Sequence, residues 1–229
     1  MIPQTLETLV RSTLTKDSIA ALIREQIITG KLRPGELIVE RNWALQLDVA
    51  QASIREAINI LAAEGFIKKR SGSSAKVTKL TLEDVAQIYK VRSVLEGLAA
   101  RLLVENQAEL QDLEQAVADI RSAAVCNNMR ALSDRDLKFH QLLTRKSGNN
   151  FLAETHTRLL VPLFAFAVVR VQQEPAWIRH WKACAVDEHQ EIIEAIRSGE
   201  PSNAEQRVRF VIDTMANNLL ALLKLKGAD

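Results

Sequence analysis

The chain has 229 residues, 47% of them hydrophobic and 4% aromatic, with 8 Gly, 5 Pro and a formal net charge of +2. That length suits one large or two ordinary domains, with enough apolar content to bury real cores. No apolar run reaches the roughly 18 residues that a membrane span needs. Met1 to Arg11 has neither the basic start nor the sustained apolar core of a secretion signal, so a cytoplasmic location without a membrane partner is expected.

Abundant Ala, Leu, Ile, Glu and Arg with few Gly and Pro favour a mostly helical protein. Cys126 and Cys184 are far apart and lack metal spacing, which reads as two reduced cysteines. Residues 1–80 carry 12 Lys/Arg against 8 Asp/Glu, whereas residues 81–229 carry 18 against 20. Positive charge therefore gathers in the N-terminal third, as attraction to phosphates requires.

In chain order, a first helix is predicted over Lys16–Thr29, with Ile19, Leu22, Ile23 and Ile27 on one face. Asp17 or Thr15 is its N-cap and Gly30 its stop. Pro34-Gly35 is a turn. A second helix, Glu40–Leu47, is expected to bury Trp43, Ala44 and Leu47. A third, Gln51–Glu64, sets Ile54, Ala57, Ile58 and Leu61 on one side and Arg55 and Asn59 on another. Gly65 ends it, and Phe66-Ile67 opens a two-stranded ribbon with a basic, Gly-containing stretch from Lys68 to Lys79. Three short helices and a ribbon describe a winged helix-turn-helix.

Thr81-Leu82-Glu83-Asp84 reads as a new helix start, a Thr cap with acidic residues in the first turn. The domains are therefore placed at 1–80 and 81–229. Breaks near Asn106, Asn127-Asn128, Ser147-Gly148-Asn149-Asn150, Glu174-Pro175 and Ser198-Gly199-Glu200-Pro201 divide the second into six or seven helices, an antiparallel bundle. Pro162, inside the apolar Leu159 to Val171 segment, predicts a kink. The apolar stripe Val161 to Val169 reads as core or dimer contact.

The order Leu32-x-Pro34-Gly35, Glu40-Arg41, Trp43-Ala44, Ile54-Arg55-Glu56-Ala57 and Glu64-Gly65 resembles the winged-helix domain of the GntR family of bacterial transcription regulators. The remainder, with Arg92-x-x-Leu95-Glu96, Asp136-x-x-Phe139-His140, Ser147-Gly148-Asn149 and Glu188-His189, resembles the effector-binding domain of its FadR subfamily. By this resemblance Arg41 and Arg55 meet phosphates or guanines, for which a planar five-donor guanidinium is suited. Ser53 meets the backbone, and Gly72 lets the wing tip enter the minor groove. The alternative for Arg41 and Arg55 is that both are solvated helix charges.

The chain also departs from the family pattern. Ala50-Gln51-Ala52-Ser53 stands where Ser-Arg-Thr-Pro is usual, so a guanine-reading arginine is Gln51, which pairs better with adenine. Asp48 replaces the turn glycine before the recognition helix, and Ser73-Ser74 replaces the second wing glycine. These departures bear on the operator sequence rather than on DNA binding.

Asp136 and His140, four residues apart, project from one helix face, and His189 lies 49 residues further on. The resemblance makes these three ligands of one divalent cation (zinc, nickel or manganese class) that helps hold a small carboxylate effector. The family's fourth ligand falls at Val211, which coordinates nothing. The alternative is an internal hydrogen-bonded pair of Asp136 and His140 with His189 as a neighbour. Arg92 stands where the subfamily places a cation facing the effector, or else pairs with Glu96 at i,i+4. His156 and His180 lack matching partners and are expected at the surface or in packing.

These readings imply a dimeric regulator that presents two recognition helices to a pseudo-palindromic operator and responds to an effector in the bundle. Repression relieved by ligand is the expected mode. A metal-dependent enzyme built on Asp136, His140 and His189 is the rival, but no nucleophile–base signature, Gly-rich phosphate loop or paired Glu-x-x-His supports it. A constitutive DNA-binding protein without effector is the third reading.

Overall fold

The computed structural model describes residues 14–69, 75–126, 128–171 and 175–225. The chain divides into two compact units, the first ending at Lys79 and the second starting at Leu80.

In the first unit, helices α1 (Lys16–Ile28), α2 (Glu40–Leu47) and α3 (Gln51–Ala63) accompany strands β1 (Leu37–Ile38), β2 (Ile67–Lys68) and β3 (Ala75–Val77). Thr15 caps α1 by accepting from the Ser18 amide, which satisfies one otherwise orphaned donor. Gly30, at φ 73°, follows the helix in the left-handed region that a side chain disfavours. Ile19, Ile23, Ile54, Ile58 and Leu61 are fully buried and form the seam of α1 against α3. Asp48, at φ 52° and ψ 49°, makes the turn between α2 and α3 in the left-handed conformation that Asp tolerates better than most residues.

Two expectations are corrected here. The ribbon is a three-stranded antiparallel sheet in the order β1-β3-β2, with Leu37 opposite Lys76 and Ile67 opposite Val77. The turn at Pro34-Gly35 brings Leu37-Ile38 beside β3, and the Gly35 amide donates to the Val77 carbonyl. A two-residue strand carries too little periodicity to be read from sequence. Helix α2, for its part, has no buried residue: Trp43, Ala44 and Leu47 are only half-buried, because its eight residues pack mainly on α3.

The second unit holds six helices among the described residues: α4 (Leu82–Glu105), α5 (Gln111–Val125), α6 (Met129–Lys146), α7 (Asn150–Val171), α8 (Pro175–Arg197) and α9 (Pro201–Leu225). Thr81 and Asp84 form a reciprocal capping box at the start of α4. Asn128 caps α6, Arg145 and Lys146 stand in its last turn, where positive charge suits the helix dipole, and Gly148 at φ 76° turns the chain into α7. Pro162 sits within the span of α7. The core comprises buried residues from all six helices, including Leu103, Leu113, Ile120, Leu132, Phe139, Leu160, Ile193, Val208 and Leu223. Fully burying each such side chain stabilises by about 1.5–3 kcal/mol.

Helices α4 and α9 approach closely at Gly97. A Cβ there would lie 2.7 Å from Arg209 Cγ and 3.1 Å from the Glu205 carbonyl oxygen. Alanine gains roughly 1 kcal/mol of helix propensity over glycine, but the overpacking costs about 1–3 kcal/mol. Gly97→Ala is therefore expected to lower the stability of the helical unit by up to about 2 kcal/mol, read as a lower urea midpoint by circular dichroism.

Candidate functional site

Four helices of the bundle converge on one buried polar cluster. Helix α4 supplies Arg92 and Glu96, α6 supplies Asp136 and His140, α7 supplies His156 and α8 supplies His189. None is more than 2% exposed. The i,i+4 spacings of Arg92 with Glu96 and of Asp136 with His140 place each pair one turn apart on one face.

Three ligand atoms form a small triangle. Asp136 Oδ1 lies 2.8 Å from His189 Nε2 and 3.3 Å from His140 Nε2, and the two Nε2 atoms are 3.2 Å apart. Despite these distances Oδ1 is buried without a hydrogen-bond partner. The far nitrogens are occupied: His140 Nδ1 meets Glu96 Oε2 at 2.7 Å, and His189 Nδ1 meets the Ala185 carbonyl. Each of those acceptors takes an Nδ1–H, which turns the Nε2 lone pairs towards each other and towards a carboxylate oxygen. Three lone pairs facing one point repel unless a cation lies between them.

A divalent first-row ion binds such donors at about 2.1 Å, which sets neighbouring donors about 3.0 Å apart in an octahedron and about 3.4 Å in a tetrahedron. The edges of 3.2 and 3.3 Å fall in that range and the 2.8 Å edge lies just below it, so the residues fit a metal ion. Val211, on α9, is buried and apolar.

Charge explains the rest of the cluster. Burial pushes the Glu96 carboxyl up, but Arg92 and then His140 outweigh it and hold it well below the usual range. Burial likewise raises Asp136, and the imidazoles of His140 and His189 reverse that, leaving it strongly lowered. For His140 burial favours the neutral ring, yet the Glu96 charge wins and raises its pKa. A proton and a metal ion compete for the Nε2 lone pair of His140.

Glu96 is the unforeseen centre of the cluster, and His156, expected at the surface or in packing without a matching partner, is buried with Glu96 as its partner. Glu96 accepts from Arg92 Nε, meets His140, and lies 2.9 Å from His156 Nε2. His156 is fully buried, with Nδ1 3.4 Å from Thr144 Oγ1, and is no surface residue. Its pKa is lowered because burial outweighs the pull of Glu96. A charged Glu96 between Leu95 and Gly97, in a stretch continuing Ala99-Ala100, was the available signal. The His180 side chain lies outside the described residues.

Arg92 pairs with Glu96 and also keeps its outer donors available: Nη1 and Nη2 are buried without a hydrogen-bond partner. Its guanidinium carbon lies 5.1 Å from the Tyr89 ring centre and 5.7 Å from that of Phe164. Of the two readings for this residue, the i,i+4 pair with Glu96 is the one the structure contains.

In the first unit Arg41, Gln51 and Arg55 are exposed and Ser53 is half-buried, at or near the start of α2 and α3. Glu40 draws two of them together: Arg55 Nη2 donates to it at 3.0 Å and Gln51 Nε2 at 3.2 Å. Gly72 lies outside the described residues.

A winged helix ahead of a helical sensor bundle defines a DNA-binding transcription regulator. The chain matches the model of bacterial regulatory proteins of the gntR family over residues 15–77 and that of the FCD domain over residues 87–214. It belongs to the GntR family of regulators, with an FCD domain as its effector unit. A relative from Paenarthrobacter nicotinovorans, described as a probable D-xylose utilization operon transcriptional repressor, is 25% identical over 84% of each chain. The gluconate operon transcriptional repressor of Bacillus subtilis is 26% identical over 79% of this chain and 74% of its own. A putative GntR regulator from Rhodococcus sp. RHA1 shares the fold at a TM-score of 0.73 and 20% identity, covering 90% of this chain and 97% of that one. The protein is a regulator and not an enzyme. No helix among the described residues is long and apolar enough to cross a membrane.

Replacing Glu96 by Gln leaves Arg92 without its buried partner, a loss of about 3–5 kcal/mol. The sign of the pH dependence follows from the shifts in metal-free protein. The lowered carboxyls contribute stability above their ordinary range near 4.5 and 3.8, lost as pH falls through their folded values. The raised His140 contributes stability below its ordinary 6.5, lost as pH rises through its folded value. Urea midpoints measured in chelator across pH are expected to fall on both sides, with the alkaline fall moved to lower pH in Glu96→Gln.

Proposed function

We propose that this regulator binds a pseudo-palindromic operator as a homodimer and senses a small carboxylate through a divalent cation held by Asp136, His140 and His189. The observation that carries the sensing half is the triangle of Asp136 Oδ1, His140 Nε2 and His189 Nε2, with edges of 2.8–3.3 Å and both Nδ1 atoms engaged elsewhere. Such an ion supplies open coordination positions and positive charge for an anionic oxygen. Arg92, with buried outer donors, adds a second anchor for the same anion. The relatives named for D-xylose utilization and gluconate operons support a sugar or sugar-acid related ligand. Ligand-relieved repression is the mode those repressor names favour.

At the DNA, Arg41, Gln51, Ser53, Arg55 and Gly72 are the contact set, with Arg55 exchanging Glu40 for a phosphate or guanine. Gln51 reads an adenine.

Protein purified without chelator or nickel resin is expected to hold about one divalent ion per chain. Mutating Asp136 to Ala should abolish this by elemental analysis, and full occupancy in that variant would remove the triangle from the reading. In gel shifts with DNA from the protein's own promoter, Arg55→Ala is expected to weaken binding by at least about tenfold, a cost of about 1–3 kcal/mol. Unchanged affinity would remove Arg55 from the contact set.

A further inference from the structure

The head of α3 presents Gln51 and Arg55 one turn apart, both exposed, and Glu40 in the first turn of α2 is bonded to both. Glu40 Oε2 accepts from Gln51 Nε2 at 3.2 Å, from Arg55 Nε at 3.1 Å and from Arg55 Nη2 at 3.0 Å. The Glu40 side chain is 23% exposed and that of Arg55 57%, so the acid is the seated member of the pair and the arginine the one free to turn outward. The hydrogen bond from Arg55 holds the Glu40 carboxyl below its ordinary range, and the group carries its charge at neutral pH. Lys69, from the base of the wing, donates instead to Asn59 Oδ1 at 2.7 Å.

An ionised carboxylate only accepts, so it selects one of the two orientations of a neighbouring amide: nitrogen towards the acid, carbonyl oxygen away from it. The Gln51 amide has two N–H donors, and Glu40 takes one of them. What is left for a base is one N–H beside one carbonyl oxygen. That edge is complementary to adenine, which offers N7 as acceptor and N6–H2 as donor. Guanine offers two acceptors, N7 and O6, and an amide meets both only by turning its two N–H groups towards them. The carboxylate forbids that turn, and its charge also repels a further acceptor oxygen brought close to it. When Arg55 leaves for the DNA, Gln51 is the partner that Glu40 keeps, so the restraint acts in the bound state.

Resting on the reading above that Gln51 meets an adenine, we infer that Glu40 is the specificity-determining residue that makes the chain take adenine and refuse guanine at that base pair. Glu40 is a positioning residue and touches no base. It acts by occupying one donor of Gln51 and fixing which way its amide faces. A glutamine alone at this place serves either purine; a glutamine tied to Glu40 serves one.

Selection of duplexes from a random DNA pool by the full-length chain, repeated with Gln51→Arg, identifies the base pair that Gln51 reads as the one that moves from A·T to G·C. Gel shifts then compare the selected duplex with its single A·T-to-G·C variant. The wild-type chain is expected to bind the adenine duplex at least about tenfold tighter, and Glu40→Gln, with native circular dichroism, to bring the two within about twofold of each other. A role of Glu40 confined to the start of α2 changes affinity for both duplexes alike and leaves their ratio untouched. Should Glu40→Gln not fold, Glu40→Asp, which keeps the acid at the start of α2 but withdraws it from Gln51, decides by the same ratio. An unchanged ratio, whether or not overall affinity falls, overturns the inference and leaves the Gln51 reading standing. A wild-type selection that enriches no sequence, a Gln51→Arg selection that moves no base pair, or a moved pair that is not A·T for the wild-type chain overturns the Gln51 reading itself, and the inference with it.

Discussion

The helical unit depends on one buried carboxylate. Glu96 is fully enclosed, and its two oxygens serve Arg92, His140 and His156, from three different helices. Enclosing a carboxylate without partners is prohibitive, while enclosing it with a guanidinium and two imidazoles is feasible because each hydrogen bond and charge is answered. The same contacts fix the orientation of the site: with Nδ1 of His140 engaged, only Nε2 faces Asp136 and His189. Helices α4, α6 and α7 are therefore held in register by polar contacts as well as by the apolar core around Phe139, Leu143 and Leu160. Such a cluster adds specificity more than net stability, since one arrangement of the helices satisfies it.

Element positions in this chain were legible because their signals are local. Thr15, Thr81, Gly30, Gly148 and the Ser198-Gly199-Glu200-Pro201 break act within one turn of the residues they terminate. The ladder of Ile54, Ala57, Ile58 and Leu61 is one face of one helix and needs no partner to be recognised. Strand β1 was not legible, because two residues have no period and their pairing depends on Val77, about forty positions away in sequence. Trp43 was misjudged for a related reason: apolar identity marks which side faces inward, whereas the extent of burial depends on how many elements surround a short helix.

The site divides in the same way. Asp136 with His140 could be seen from spacing, and the fold brings His189 to them. Glu96 and His156 could not, since their partners are 44 and 60 residues apart from Glu96 and no short motif spans such distances. His156 was expected at the surface or in packing, and its partner escaped notice because that partner is a charge already given to Arg92. A carboxylate has about four lone-pair sites, so one i,i+4 salt bridge never exhausts it. Glu96 carries the lesson that a charged residue inside a run of small apolar ones has more than one partner.

The two units handle charge in opposite ways, and this matches their work. In the winged-helix unit, Arg55 is more than half exposed and its bond to Glu40 stays within reach of water, where such a pair is worth little. Glu40 holds Arg55 and Gln51 side by side at the head of the recognition helix without binding either strongly, so exchanging it for a phosphate costs little. In the bundle the Arg92–Glu96 pair is sealed from water, and there any change of charge is felt in full. A DNA-reading surface must release its internal partners readily, whereas a buried centre responds strongly to any change of charge. Exposure sets the first property and burial the second. The same residue types, Arg with Glu, thus yield a weakly held contact in one unit and a charge-sensitive centre in the other.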